Sequence, residues 1–551
     1  MTAPSLEGQE TAAHHSEISP MRHGVDSGLG SAQTANDEYV YIADGYHMVR
    51  RIIFIMTVCS SMFTNQLGLC NTLTTPEIIG ESFGVTDPGK LSWTISGYGL
   101  TLGTFILIGG RLGDEFGNKA IFIIGMGWLA LTSMMAGVSV YSSYPVYILA
   151  RILQGLGPAL TVPNALAIMG KCFSQGPRNM GFAWFAASAP VGAMAGLLFG
   201  PLFAMAWWPW IYWSQALGVA LLFVISLVAI PSMPVEGERK RRTIREILNR
   251  VDILGGASGV TALVLFNFAW NQSLVTTWDE PYVYVCLILS FFFLAAFFYI
   301  ELRLARYPIL PVAVLTSDIA FVFGCTAAGW STFGIWLFYV IRICLNIGGQ
   351  TPIQLAAWLS PILVTGISTA LIVGKIINKV PASSIMFFAM LCYFLTSLLM
   401  ALRPVHSTYW TYFFFATVIA TFAMDSSLPA ATIIFSNAVP RQYQGMGSSV
   451  IMTIVVYSIS LGLGFAGTIE LQINNGGHTK ADLLHGYRGT LWFSVGLTAF
   501  GTVLSLIFLL KDHRRRKTGS TSENNYNVLC QEDPELWPFI CIQLSSIIKH
   551  Q

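Results

Sequence analysis

Charge is what this chain has least of. Asp, Glu, Lys and Arg make up 11% of its 551 residues, while 54% are hydrophobic and 13% aromatic. A soluble domain carries about 25% charged residues, so this composition cannot coat an ordinary aqueous surface. The formal net charge of +2 is too small for the basic face that grips nucleic acid. Nor does the sequence contain a Gly-x4-Gly-Lys-Ser/Thr phosphate loop, a His-Glu-x-x-His zinc helix or a Gly-x-Ser-x-Gly nucleophile turn. With no ATPase engine and no evident hydrolytic site, the chain does not read as an enzyme, and any solute it moves must follow a gradient. Nine cysteines form no Cys-x-x-Cys, and Cys59, Cys286, Cys325 and Cys392 sit in apolar segments. They read as small core residues rather than a disulfide or zinc framework, and neither metal nor cofactor is expected. Met1 to Tyr46 has no apolar run, so no cleaved signal peptide is expected.

Long apolar runs are what the chain has in abundance. Stretches able to cross a bilayer, which takes about 20 residues, fall near 51–73, 91–110, 119–140, 145–169, 180–204, 208–230, 252–271, 281–301, 319–342, 354–375, 383–402, 409–434, 446–468 and 489–510. The sequence therefore predicts an all-α polytopic membrane protein with fourteen spans. Charge asymmetry tests the count, because cytoplasmic loops concentrate Lys and Arg. With a cytoplasmic N-terminus, 24 Lys and Arg fall inside; Lys90, Arg342, Arg403, Lys480 and Arg488 fall outside, and Arg151 lies within a span. Both termini are thus expected in the cytoplasm.

A repeat organises the spans. Gly110-Arg-Leu-Gly-Asp-Glu-Phe-Gly-Asn-Lys119 ends span 2, and 264 residues on, Gly374-Lys-Ile-Ile-Asn-Lys379 ends span 10. Spans 1–6 and 9–14 read as parallel six-helix bundles, with spans 7 and 8 inserted. The expected plan is a disordered cytoplasmic tail (1–48), an N-terminal bundle (49–230), a basic linker (231–251), two inserted helices (252–301), a C-terminal bundle (302–510) and a cytoplasmic tail (511–551).

Ionisable groups at a helix centre in a membrane cost about 2.5–3.5 kcal/mol, so the few present are informative. Asp425, in Ala-Met-Asp-Ser-Ser-Leu-Pro, is the acid well within a span. It reads either as a protonatable carrier or as a structural acid capped by Ser426, Ser427 or a broken-helix amide near Pro429. Arg151, in Arg151-Ile-Leu-Gln154-Gly155-Leu-Gly157-Pro158, is the corresponding base. It reads either as a partner that tunes a carboxyl group or as an arginine snorkelling to the outer boundary. Gly192, Gly196 and Gly200-Pro201 form a small-xxx-small stripe for close helix packing, where the two bundles would slide. Asn65, Gln66, Asn71, Gln154, Asn164 and Asn267, with Trp93, Tyr98, Trp184, Trp330 and Trp336, read as lining of an amphipathic cavity or as interhelical hydrogen bonds and interface aromatics. Glu238 to Arg245 is strongly basic, and Ile244, Ile247, Leu248 and Val251 recur at helical spacing, as in a helix lying on the inner leaflet. Asn271-Gln-Ser273 is a glycosylation sequon in an outer loop.

These residues carry a family resemblance. Over about residues 48–512 the chain resembles the major facilitator superfamily, in particular its fourteen-span drug:proton antiporter branch and, within it, fungal exporters of the aminotriazole-resistance type. Gly110-x-Leu112-x-Asp114-x-x-Gly117-x-Lys119 is similar to that superfamily's cytoplasmic gating signature. The resemblance implies that this loop latches the bundles, its acid docking on a helix end of the other bundle. Glu115 and Asn118 stand where the pattern has bases. Arg151, Gln154, Gly155 and Gly157 resemble the span-4 signature associated with proton transfer. Gly192, Gly196, Gly200 and Pro201 match the antiporter signature in part, and Asp252-x-x-Gly255 looks like this branch. Many bacterial members have an aspartate in span 1, where this chain has Asn65 to Asn71 and no acid. Asp425 or Glu77 would then carry the proton.

The implied activity is proton-coupled export of small toxic or drug-like organic compounds or secondary metabolites by alternating access. A gradient-driven facilitator or importer of a small solute or weak-acid oxyanion is the alternative. The expected partners are a small-molecule substrate, protons and the lipid bilayer, with no nucleic acid; the protein is expected to be a monomer. The plasma membrane is the expected location, with the vacuolar membrane as rival.

Overall fold

The computed structural model describes residues 43–532, except 44, 174, 232–245, 247–249, 251, 277, 306–307, 310–315, 378, 406 and 440–443. The expectations for the N-terminal arm, for the basic linker with its surface helix and for the chain after Glu532 lie outside the described residues.

Fourteen helices among the described residues are long and apolar enough to cross a membrane. They are α1 (Met48–Cys70), α2 (Gly89–Phe116), α3 (Asn118–Tyr141), α4 (Tyr144–Cys172), α5 (Met180–Trp207), α6 (Trp210–Ala229), α7 (Ile253–Thr276), α8 (Pro281–Arg303), α9 (Ser317–Ile347), α10 (Pro352–Ile376), α11 (Ala382–Ala401), α12 (Phe413–Ala438), α13 (Ser449–Ile473) and α14 (Lys480–Arg516). Local chemistry sets their ends. Asp87 caps the helix of α2 by accepting from the amides of Gly89 at 2.7 Å and Lys90 at 3.2 Å. Gly117 closes α2 with φ +101°, a backbone region open to glycine. At the head of α7, Asp252 accepts from the Gly255 amide at 3.1 Å, which accounts for the Asp-x-x-Gly pattern.

The helices pack in two matching sets. In the first half α1 meets α5, α2 meets α4, and α3 meets α4 and α6. Eight helices later, α9 meets α13, α10 meets α12, and α11 meets α12 and α14. Two crossings join the bundles, α2 on α13 and α5 on α10, and the same eight-helix shift exchanges them. Between the bundles on one flank, α7 packs on both α2 and α13, and α8 packs on α7. Large apolar side chains such as Ile288, Phe291, Phe292 and Leu302 of α8 point outward. That is the surface expected of a helix bathed in hydrocarbon. The free cysteines Cys59, Cys70, Cys172, Cys325, Cys344 and Cys392 are buried as expected of small apolar residues.

Candidate functional site

Three cavities lie in a row along the seam between the bundles. Below, the terminal face is the one where α1 starts and α14 ends. At that face a cavity of about 550 Å³ opens between Gly110, Arg111, Asp114 and Phe185 of the first bundle and Leu428, Pro429 and Met452 of the second. At the opposite face a cavity of about 520 Å³ is lined by Asp87, Ser92, Tyr339, Arg342 and Glu470. Between them the space shrinks to about 50 Å³, walled by Asn65, Gln66, Ser96, Trp330, Phe333 and Ser460. Met62, Leu428 and Met452 line both the central and the terminal cavities. Ile95, Ser96 and Leu463 line both the central and the opposite cavities. Among the described residues, no charged side chain lines the central space.

Of the expected cavity residues, Asn65, Gln66 and Trp330 therefore share one wall. Asn71, Gln154 and Asn164 do not; they belong to the scaffold. Asn71 donates to Gln215 at 3.0 Å, and Gln154 donates to Ser133 at 2.8 Å. Asn164 donates to the Gly109 carbonyl at 2.9 Å and accepts from Asn118 at 2.9 Å, stitching α4 to the foot of α2. These side chains occupy interhelical space because each bonds a polar group on a facing helix, which an apolar residue cannot.

Arg151 is wholly buried, so it does not snorkel. Its Nε donates to the Thr94 carbonyl at 2.9 Å, one terminal nitrogen to Gln154 at 2.5 Å, and the other to the Gly68 carbonyl and Thr72 hydroxyl at 3.1 Å. Its guanidinium stands 4.9 Å from the Tyr98 ring centroid. Its hydrogen-bond partners are carbonyl and hydroxyl oxygens from α1, α2, α4 and their flanks, with no carboxylate among them.

Asp425 lies at the second bundle crossing. A Cβ added to Gly366 of α10 would sit 2.9 Å from Pro190 of α5 and 3.2 Å from the Asp425 carboxylate. That carboxylate's Oδ2 is buried and meets no hydrogen-bond donor among the described residues. Ser427 donates instead to the Met424 carbonyl at 3.0 Å, so it does not cap the acid.

The glycine stripe of α5 faces its own bundle. Added Cβ atoms at Gly192, Gly196 and Gly200 would strike the backbone of Phe63, Leu67 and Asn71 on or beside α1. It packs helices closely, but against α1 rather than against the other bundle, which α5 meets at residues such as Ala183 and Pro190.

The gating loop departs from the docking that the resemblance implies. Asp114 faces Lys171 of its own bundle at 3.8 Å. Lys119 donates to the carbonyls of Leu227 at 3.2 Å and Ile230 at 2.5 Å, capping the end of α6. Arg111 reaches the Pro308 carbonyl at 2.6 Å, and Arg250 faces Glu115 at 3.9 Å. The loop is thus tied to the segments before α7 and after α8.

At the opposite face, Glu77 of the first half pairs with Arg342 of α9 at 2.9 Å. Tyr339 donates to Glu470 of α13 at 2.9 Å beside it. Glu470 escaped notice because the thirteenth span was expected to end at 468. The turn Asn474-Asn475-Gly476-Gly477 marks the true end. The sequon expectation also fails on geometry: Asn271 is 1% exposed and its amide nitrogen donates to the Asn267 side chain at 2.8 Å. A glycosyl acceptor nitrogen must be reachable from water.

A sequence model of the Major Facilitator Superfamily matches residues 53–343 and again 319–548, together spanning most of the chain. The chain belongs to the major facilitator superfamily. Within that superfamily it is 88% identical over 522 residues to "Efflux pump terG" of Aspergillus terreus, covering 95% of this chain and 98% of that one. It is 42% identical to "Low affinity ammonium transporter" of Saccharomyces cerevisiae, over 86% of this chain and 91% of that one. It is 36% identical to "Aminotriazole resistance protein" of the same yeast, over 83% and 84%. The superfamily fold recurs in a crystal structure of peptide transporter POT in complex with sulfate, with TM-score 0.60, 15% identity and coverage of 84% and 94%.

Proposed function

We propose that this superfamily member is a proton-coupled efflux pump for small toxic or drug-like organic compounds, working by alternating access in the plasma membrane. Its terminal face is assigned to the cytoplasm on the strength of the Lys and Arg asymmetry. The observation that carries the transport reading is the row of three cavities on the seam of two pseudo-symmetric bundles, pinched in the middle. Rocking about such a seam opens each outer cavity to the centre in turn. The 88% identical efflux pump supports the outward direction. Asp425 is assigned as the proton carrier: a carboxylate oxygen with no donor, at a crossing that must slide, is the kind of intramembrane acid that serves relays. Glu77, held by Arg342, is assigned to the gate instead. Arg151, whose three nitrogens each donate to neutral oxygens, is assigned to holding the N-terminal bundle together. The alternative is a gradient-driven facilitator or importer, which the likeness to an ammonium transporter favours.

The test uses vesicles from an exporter-depleted yeast carrying wild type or Asp425→Asn, with an imposed acid-inside pH gradient. A panel of dyes, azoles and weak acids is screened for compounds that dissipate it. Dissipation in wild type and none in the variant at equal expression is the expected result. Equal dissipation by both makes Asp425 structural. Labelled compounds crossing without proton movement establish the facilitator instead.

A further inference from the structure

The inserted helix α7 carries two amides that the scaffold leaves unsatisfied. Asn267 is 0% exposed and Asn271 1% exposed. They stand four residues apart and so share one helix face. The Asn271 nitrogen donates to Asn267, and Ser460 of α13 donates to the Asn267 oxygen at 3.1 Å. That leaves Asn267 Nδ2 without an acceptor and Asn271 Oδ1 without a donor among the described residues. Buried amide groups are normally paired, so a donor and an acceptor left open side by side call for a partner.

Their position says what sort of partner. Asn271 lines the opposite-face cavity, and Ser460, bonded to Asn267, lines the central space. The two cavities meet at Ile95, Ser96 and Leu463, so the amide pair stands beside the neck through which a solute leaves the centre. Opposite Asn271 the α13 residue is Gly464, where an added Cβ would stand 3.6 Å from the amide nitrogen. An aromatic wall adjoins: Trp270 meets Phe465 edge to face, ring centroids 4.4 Å apart. The absence of charge around the centre selects against ionised solutes, which need a counter-charge when desolvated.

We propose that Asn267 and Asn271 form a hydrogen-bonding station for an uncharged organic solute that presents a donor beside an acceptor, as a cis-amide, imide or hydroxyketone does. This rests on the exporter reading and names the substrate class for it. The solute's acceptor takes the Asn267 N–H and its donor meets the Asn271 carbonyl, a neutral pairing that forms as the solute passes the neck. The inserted helix thereby sets specificity, besides filling the flank between the bundles.

The test compares labelled cycloheximide, whose glutarimide places an N–H between two carbonyls, with its N-methyl imide, which keeps the shape and loses the donor. Accumulation of each, and of the cation rhodamine 6G, is measured in exporter-depleted yeast carrying empty vector, wild type, Asn271→Leu or Asn271→Ala. Wild type is expected to clear cycloheximide roughly tenfold better than the N-methyl compound, the range for one lost buried hydrogen bond. In either variant cycloheximide clearance falls more than N-methyl clearance, and the ratio drops to near one. A wild-type ratio near one overturns the proposal without any variant. So does a ratio that survives substitution, or a variant that loses both compounds alike, as a structural role would give. Clearance of rhodamine 6G with neither imide overturns the station and leaves the exporter standing. If none of the three compounds is cleared, the exporter reading itself falls.

Discussion

Arg151 shows how a single residue can hold a full charge inside a helical bundle. Its three nitrogens make four hydrogen bonds, to the Gly68 and Thr94 carbonyls, Thr72 and Gln154, and two aromatic faces flank it, Tyr98 at 4.9 Å and Tyr212 at 5.6 Å. Carbonyl dipoles and ring quadrupoles replace the missing carboxylate. Truncation strands those partners, each at a cost of roughly 1–3 kcal/mol. Arg151→Ala is therefore expected to lower the detergent melting temperature markedly. Arg151→Lys is expected to fall between, because an ammonium cannot reproduce the planar fork. A melting curve for Arg151→Ala that overlays wild type would remove the pin. Arg151 and Gln154 were visible in the sequence at i, i+3, but their partners were not: backbone carbonyls on other helices carry no motif.

At the level of helices, close approach of backbones is the recurring device, and it fails differently at different glycines. Gly196 of α5 has the Leu67 carbonyl 2.8 Å from where a Cβ would stand. Gly196→Leu is expected to wedge α1 from α5, at about 1–3 kcal/mol for overpacking, and to cut the yield of monodisperse protein in size-exclusion chromatography. Gly218 of α6 has nothing within 4 Å of its Cβ position. Gly218→Ala is expected to leave yield and melting unchanged or raise melting slightly, since alanine is the better helix former by roughly 1 kcal/mol. Equal effects at the two sites would sink the packing argument. The four-residue spacing of Gly192, Gly196 and Gly200 made a contact stripe legible. Which helix it touches was not, because the spacing says nothing of the partner; the stripe faces α1 and not the other bundle.

For the molecule as a whole, the Glu77–Arg342 pair joins the first half of the chain to the second at the opposite face. If the bundles rock, this tie breaks each time that face opens. Glu77→Cys combined with Arg342→Cys, bridged by a short reducible bis-methanethiosulfonate cross-linker that spans the length of the lost side chains, is expected to block transport and to recover it on reduction. Undiminished transport by the cross-linked protein would exclude rocking at that face. The tie also explains why Glu470 sits beside it with Tyr339: both acids flank one guanidinium, one from each bundle.

The span count, the two-bundle plan and the inserted pair were all legible in the amino-acid order. Hydropathy and Lys/Arg asymmetry act span by span against the bilayer, and a repeated loop needs no partner to be seen. Which face each helix turns inward was decided by packing alone. In a soluble helix an apolar stripe marks the buried side, but here lipid and core are both apolar, and that stripe vanishes. So Asn65 and Gln66 look no different in sequence from Asn71 and Asn164, though the first two wall the central space and the others stitch helices. Asn271, a sequon on paper, is buried against α13 for the same reason: helix rotation is a property of the assembled bundle.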